Sequence, residues 1–382
     1  KVETHEIQLN SNFDGAFNYV TGYYTQTEEL SSDTNIYLGI PTDLYRTTTP
    51  FRNSLTLKDQ ESDALFGAVF YELNEQWKLS VGARYTEDLK ESLPTDLWTG
   101  GDTTFDEWTY SAKLTYQMDP DVMLYLSHDK GFKSGGINRH SNGACTGNPP
   151  PISGCTAIWD PETTFNYEVG IKSEWLDNRL RLNGALYYQT FEDFQVTQNL
   201  VQFNTVLVRN AAEAESRGIE FDFVALATDN LTFDGSVALN FAEYKEFENA
   251  TCLPGTPGCV AGFQDLSGET LDHAPELTFN IGAEYRQGLD LLNGAEAFAR
   301  LDINYRDDQN LYFELYDITE EDAYYLMNGR GGIEVADSWK LTLWGNNLTD
   351  EEYLAESLLD NTSIQQVPGM VRTYGVTADW YF

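Results

Sequence analysis

The stretch Tyr374-Gly-Val-Thr-Ala-Asp-Trp-Tyr-Phe382 puts Tyr374, Val376, Ala378, Trp380 and Phe382 on one face of a period-two segment that runs to an aromatic carboxyl terminus. Such alternation predicts a strand with one apolar face. A soluble sheet normally frays into polar residues at its end, whereas here the apolar face continues to the last residue. The segment reads as the closing strand of a membrane-spanning barrel.

The same pattern recurs upstream at one spacing. Trp77 and Tyr85, Trp108 and Tyr116, and Tyr167 and Trp175 are each paired across the same interval on one face of an alternating segment, as Tyr374 and Phe382 are. Such an interval rises about 27 Å along a strand, and a tilt of roughly 40° reduces it to about 20 Å along the membrane normal. Two aromatic girdles bounding a lipid-facing band account for this. Between them the outward positions are Leu79, Val81 and Ala83, then Tyr110, Ala112 and Leu114, then Val169, Ile171 and Ser173; the alternate positions, such as Lys78, Arg84, Lys113, Glu168 and Lys172, suit a wet lumen. A sandwich or propeller would bury the apolar face instead, but its strands are usually only about five or six residues long.

Composition agrees. Mean hydropathy is −0.43, and no stretch approaches the roughly 18 apolar residues of a spanning helix. A barrel needs none, because half of its strand residues face water. Aromatic residues make up 14% of the chain, with 23 Tyr and 21 Phe against 4 Met, as girdles and strands require. With no Pro/Ser linker and no shift in composition, one continuous array is the simplest organisation.

Short turns are expected around Asn74-Glu75-Gln76, Asp119-Pro120-Asp121, Asp177-Asn178, Thr228-Asp229-Asn230 and Ala336-Asp337-Ser338, all turn-forming residues. Long connections are expected near 29–54, 92–104, 133–160, 249–273 and 349–368. This is the short-inside, long-outside alternation of outer-membrane barrels. About fifteen strands are predicted, near 2–9, 15–28, 60–73, 77–90, 105–118, 122–132, 162–175, 179–197, 216–227, 231–245, 275–287, 296–312, 323–335, 339–347 and 370–382. Bacterial single-chain barrels close with an even number. The expectation is therefore that the chain starts in mid-barrel.

At this point the chain resembles the TonB-dependent outer-membrane receptors. The resemblance rests on Gly131-Phe-Lys-Ser-Gly-Gly-Ile-Asn138, Pro161-Glu-Thr-Thr-Phe-Asn-Tyr-Glu-Val-Gly-Ile-Lys172, Asn210-Ala211 with Gly218-Ile-Glu220, Asn347-Leu-Thr-Asp350 with Tyr353, and the closing Pro368, Arg372 and Phe382. It implies a 22-stranded all-β transmembrane antiparallel barrel with an N-terminal plug, importing scarce nutrients with energy delivered through TonB. On that pattern residues 1–382 form the C-terminal portion of the barrel, with the plug, the TonB-contacting segment and the first strands outside it. The resemblance also implies that the barrel-assembly machinery reads the terminal strand.

Net charge is −38, with 61 acidic residues against 23 Lys and Arg. Acidic groups concentrate in predicted outer loops and strand tips, such as Glu87, Asp106, Glu320 and Glu321, whereas Arg84, Lys113, Arg181, Arg286, Arg300, Arg306 and Lys340 are expected to face the lumen. An acidic rim disfavours nucleic acid. Beside anionic lipopolysaccharide and outer-membrane lipid, Ca²⁺ or Mg²⁺ bridging carboxylates to lipid phosphates is one expectation, and general solubility in a salty habitat is the other. No resident cofactor is expected.

Cys145 with Cys155 and Cys252 with Cys259 form local pairs in predicted outer loops. Local disulfides are the default in an oxidising compartment; zinc is the alternative, but the spacings are not those of a zinc ribbon. No catalytic grouping appears, since His5, His128, His140 and His273 are scattered. An enzyme is not expected, and a barrel-embedded hydrolase ranks behind a passive, solute-specific channel as the alternative to a receptor. If the resemblance holds, small-molecule capture falls to loop tips above the lumen, where Tyr37, Tyr45, Arg46, Arg52, Phe132, Arg139, His140, Trp159, Phe263, Tyr312, Phe313 and Tyr316 are candidates. Aromatic and Arg side chains suit metal chelates, cobalamin-like cofactors and sugars alike. Ferric siderophore is the commonest assignment in the family.

Overall fold

The computed structural model describes residues 1–36, 51–92, 101–138, 158–200, 205–252, 255–289, 294–312, 317–335, 338–360 and 363–381. Fifteen antiparallel strands form one sheet in strict chain order, the number read from the sequence. They are β1 (Val2–Asn10), β2 (Phe17–Ile36), β3 (Phe51–Glu72), β4 (Trp77–Ser92), β5 (Gly101–Asp119), β6 (Val122–Lys133), β7 (Glu162–Trp175), β8 (Leu180–Leu200), β9 (Thr205–Leu226), β10 (Leu231–Glu246), β11 (Leu277–Leu289), β12 (Ala295–Arg306), β13 (Tyr324–Val335), β14 (Trp339–Asn346) and β15 (Thr373–Trp380). Among the described residues no helix is long and apolar enough to cross a membrane, which says nothing of strands.

The short turns are built as their residues dictate. Asn74 Oδ1 accepts from the Gln76 and Trp77 amides, Asp119 Oδ1 from the Asp121 amide, and Thr228 Oγ1 from the Asn230 and Leu231 amides. These side-chain-to-backbone bonds replace ladder partners that the reversing chain loses.

Register fixes the two faces. Trp77 is paired with Tyr116 and Tyr85 with Trp108, with ring centroids 4.5 and 5.2 Å apart. Each predicted girdle is therefore locked across β4 and β5 by direct aromatic contact. The same face carries Leu65, Leu126, Val169, Ile171, Leu186, Ile219 and Leu343, all exposed. Large apolar side chains exposed over a whole sheet face would be an aggregation surface in water; against lipid they are the expected wall. Ser173, predicted outward, is on that face but only 4% exposed. Its hydroxyl donates to Leu182 O and accepts from Trp175 Nε1, which lies over it.

The opposite face is polar and tightly fitted. Tyr125 stands directly opposite Gly170 and Tyr187 opposite Gly218, where any Cβ would collide with the facing ring. Glycine at these two positions lets an aromatic ring lie flat on the neighbouring strand.

Beyond the membrane band the strands continue further than predicted. β2 runs to Ile36, β3 begins at Phe51 and β9 begins at Thr205, whereas the sequence suggested 28, 60 and 216. Above the bilayer both faces are wet, so the ladder persists after the alternating signal has gone. The outer connections also carry short hairpins, Gly136–Ile137 with Ile158–Trp159, Ala250–Thr251 with Phe263–Gln264, Gln309–Asn310 with Glu320–Glu321, and Leu354–Asp360 with Ser363–Pro368. One small hydrophobic core lies here: Val196, Ala212, Tyr244, Phe247, Ala250 and Leu266, with Phe194, Leu271 and Tyr312 against it. The predicted Cys252–Cys259 disulfide is present in this loop, Cα atoms 5.9 Å apart. Cys145 and Cys155 lie outside the described residues.

Candidate functional site in the lumen wall

The inward faces of β3 to β12 line a common open cavity of about 1160 Å³ near the height of the outer girdle. Because residues from strands so far apart in order line one space, the sheet curls around it. Arg84, Ser111, Asp129, Asn166, Glu168, Tyr187, Gln189, Glu220, Asn240, His273 and Arg306 all contribute. A volume of this size accommodates a small organic molecule.

The wall manages charge differently on its two sides. From β10 to β14 the groups form a ladder of ion pairs. Arg300 grips Asp234 through both η nitrogens, at 2.6 and 2.8 Å, and bonds Asp302 through Nε. Arg286 bonds Glu284 and Glu296, while Lys340 reaches Glu334. From β6 to β10 the carboxylates are held by neutral donors instead: Tyr125 Oη donates to Glu168 at 2.5 Å, and Asn183 Nδ2 to Asp222. Arg84 lies over the rings of Tyr24 and Phe66 and bonds Thr86, and Lys113 lies over Tyr125. Cation–π contacts hold these two cations with, among the described residues, no carboxylate in ion-pair range. The wall thus offers a solute both charged and neutral hydrogen-bonding groups.

The short motifs picked out from the sequence converge at the outer ends of the strands. A β-bulge in β8, with Asp193 at φ 54°, redirects the chain so that Gln195 is buried. Its amide side chain donates to the carbonyls of Lys133, Ser134 and Asp160, and its backbone N–H to Glu162 Oε2. Asn210 donates to the carbonyls of Asp160 and Asp193 and accepts from the Asp160 amide. Asn138 pairs reciprocally with the Val208 backbone. Residues distant in sequence, Lys133-Ser134, Asn138, Glu162 and Asn210, thereby brace β6 to β9 through one network. Gln195 was missed, since nothing in its local pattern announces a bulge.

A second knot ties β14 to β15. Asn347, at φ 50°, bonds the backbone of Glu351 and Met370 through its side chain. Arg372 pairs with Asp350 at 2.9 Å, and the Gly369 and Met370 amides bond Tyr353. The motif residues are structural clamps that set where the outer loops leave the wall.

The predicted capture residues are not brought to one place. Tyr37, Tyr45, Arg46, Arg139, His140, Phe313 and Tyr316, like Phe382, lie outside the described residues. Arg52 pairs through its backbone with Asn35. Phe132 sits in β6 opposite Thr163, on the face shared with Tyr167, so its position points away from the lumen. Trp159 covers Gly136, Phe263 pairs with Thr251 in the short hairpin that flanks the disulfide, and Tyr312 packs on the loop core. Burial takes an aromatic ring wherever a loop needs filling, and sequence alone does not separate that use from ligand contact.

The model of the family described as TonB dependent receptor-like, beta-barrel, matches residues 3–348. The chain belongs to the TonB-dependent receptors. These are outer-membrane barrels of Gram-negative bacteria, and the family likeness is to receptors, not enzymes. A metal-pseudopaline receptor, CntO of Pseudomonas aeruginosa, is 26% identical over 303 residues, 75% of this chain and 36% of the relative. A probable TonB-dependent siderophore receptor, PiuA of Acinetobacter baumannii, is 22% identical over 348 residues, 88% and 43% respectively. The chain thus spans less than half the length of these relatives. The ferric yersiniabactin uptake receptor FyuA of Yersinia pestis superposes with a TM-score of 0.76 at 16% identity, over 99% of this chain and 53% of that one, which carries the fold alone.

Proposed function

We propose that this chain is the barrel wall of a receptor that actively imports a scarce nutrient across the outer membrane, with energy from TonB, and that the cargo is a ferric siderophore or another metal chelate. The observation that carries the reading is the cavity of about 1160 Å³, lined by polar and apolar groups alike, behind an apolar outer face. It is large enough for a chelate, and its mixture of cations, carboxylates and neutral donors suits a polar, multidentate molecule. The likeness to a metal-pseudopaline receptor and a probable siderophore receptor supports the cargo class. A lumen this wide leaks unless filled, and binding alone cannot concentrate a solute. An external energy source is therefore part of the proposal.

The test uses the full-length protein in cells. Chelate binding is expected without energy, and accumulation in the periplasm only when TonB is present and the inner membrane is energised. Uptake linear in external concentration, and indifferent to TonB loss or an uncoupler, would instead identify a passive solute-specific channel.

A further inference from the structure

On the outward face of β8–β10, three successive rows of cross-strand neighbours change character. The first is Leu186–Ile219–Leu239, the next is Tyr188–Arg217–Phe241, and the outermost is Thr190–Glu215–Glu243. Lys245 follows Glu243 on the same parity of β10. Apolar side chains give way to a ring–guanidinium–ring row and then to charge, as lipid gives way to headgroups.

The charged tier is organised around one carboxylate. Glu215 is only 7% exposed in its side chain, accepts from Tyr188 Oη at 2.9 Å, and lies between Arg217 at 3.5 Å and Lys245 at 3.4 Å. Lys245 also reaches Glu243 at 2.9 Å. The cations themselves remain 58% and 47% exposed. Arg217 uses a single η nitrogen on its carboxylate, so among the described residues most of its five donors have no protein partner. Lys130, the cation on the same face of β6, is by contrast closely paired with Glu107 at 2.6 Å and largely covered. It has little left to offer.

We propose that Arg217 and Lys245 bind a phosphate of a phosphorylated glycolipid in the outer leaflet. Arginine presents a planar fork to phosphate and lysine a point charge. Tyr188 and Phe241, both exposed on either side of Arg217, border the headgroup, and the Leu186–Ile219–Leu239 row meets the acyl chains. Glu215 holds the two cations in place without covering them, and Glu243, partly buried and paired with Lys245, adds a second carboxylate beside them. This site is independent of the cargo and lies on the opposite side of the wall.

The test titrates the full-length receptor in detergent micelles with bisphosphorylated lipid A, and with the same lipid stripped of phosphate, reading bound lipid by native mass spectrometry. The wild-type protein is expected to hold the phosphorylated lipid about tenfold more tightly, the effect of one charge-assisted contact. The pair R217Q/K245Q is expected to lose that preference, and R217K/K245R to keep most of it. Equal affinity of the wild-type receptor for the two lipids would overturn the proposal whether or not any variant folds. An undiminished preference in folded R217Q/K245Q would overturn it too.

Discussion

The outward face climbs from an apolar row to a charged one on both β3–β5 and β8–β10, and the two sectors differ in where cations stand. On β3–β5 the rows are Val69–Val81–Ala112, then Leu65–Tyr85–Trp108, then Asp63–Glu87–Asp106. On β8–β10 the last row also holds carboxylates, but Arg217 one row below and Lys245 just beyond pair with them. In the acidic row Tyr23 Oη donates to Asp63 at 2.5 Å, and no ion pair joins these three carboxylates to a cation among the described residues. Directly opposed like charges destabilise a strand pair. The lowest tiers are dictated by lipid and so agree; the upper tiers meet headgroups and water, where each sector is free to differ.

The largest expected effect tests the shared tiers. Ile171 is midway between Tyr167 and Trp175 on the outward face, so Ile171→Arg should cost about 3 kcal/mol in barrel stability. Lys172→Arg, one residue along but facing the lumen, should be close to neutral. Urea unfolding of the barrel in lipid vesicles measures both, and similar losses would mean that the two faces had been misassigned. On the lumen side, Arg300→Met removes the partner of Asp234 and Asp302 and should cost about 2 kcal/mol, because two partly buried carboxylates lose their counter-charge. The same measurement would show it.

The smallest effect concerns the top tiers. Glu87→Lys, which sets a cation between Asp63 and Asp106, should stabilise by no more than about 0.5 kcal/mol, since the row is exposed and screened. The gain should shrink with added salt. Wild-type protein should also gain more from Mg²⁺ than the Glu87→Lys variant does; an equal Mg²⁺ response would show that the acidic row attracts no counter-ions worth the name.

Much of this was legible in the sequence because a barrel writes its two solvents into alternate residues. Trp77, Tyr85, Trp108 and Tyr116 gave the girdles; which of them pair across β4 and β5 came from the register. The outer ends were not legible. Ser31–Ile36 is strand without apolar alternation, and the bulge-broken, mixed pattern of Thr205–Glu215 does not repeat one lipid face, so periodicity is silent there although the ladder continues. The motif residues were recognised but their work was not: Asn210 and Glu162 meet only through Gln195 and the bulge before it, a geometry set by tertiary pairing. The Arg217–Lys245 patch was hidden for another reason. Its members belong to different strands, and only register places them beside Tyr188 and Phe241.

Everything proposed here rests on which face of the sheet meets lipid. Single cysteines at Val169, Ile171 and Lys172 of the full-length receptor, spin-labelled in lipid vesicles, measure this directly through collision with oxygen and with a water-soluble nickel chelate. Labels at Val169 and Ile171 are expected to favour oxygen, and the label at Lys172 to be the more accessible to the nickel chelate or shielded from both. Equal access of the nickel chelate to all three positions would contradict a membrane wall on β7, and with it the transport reading and the glycolipid site together.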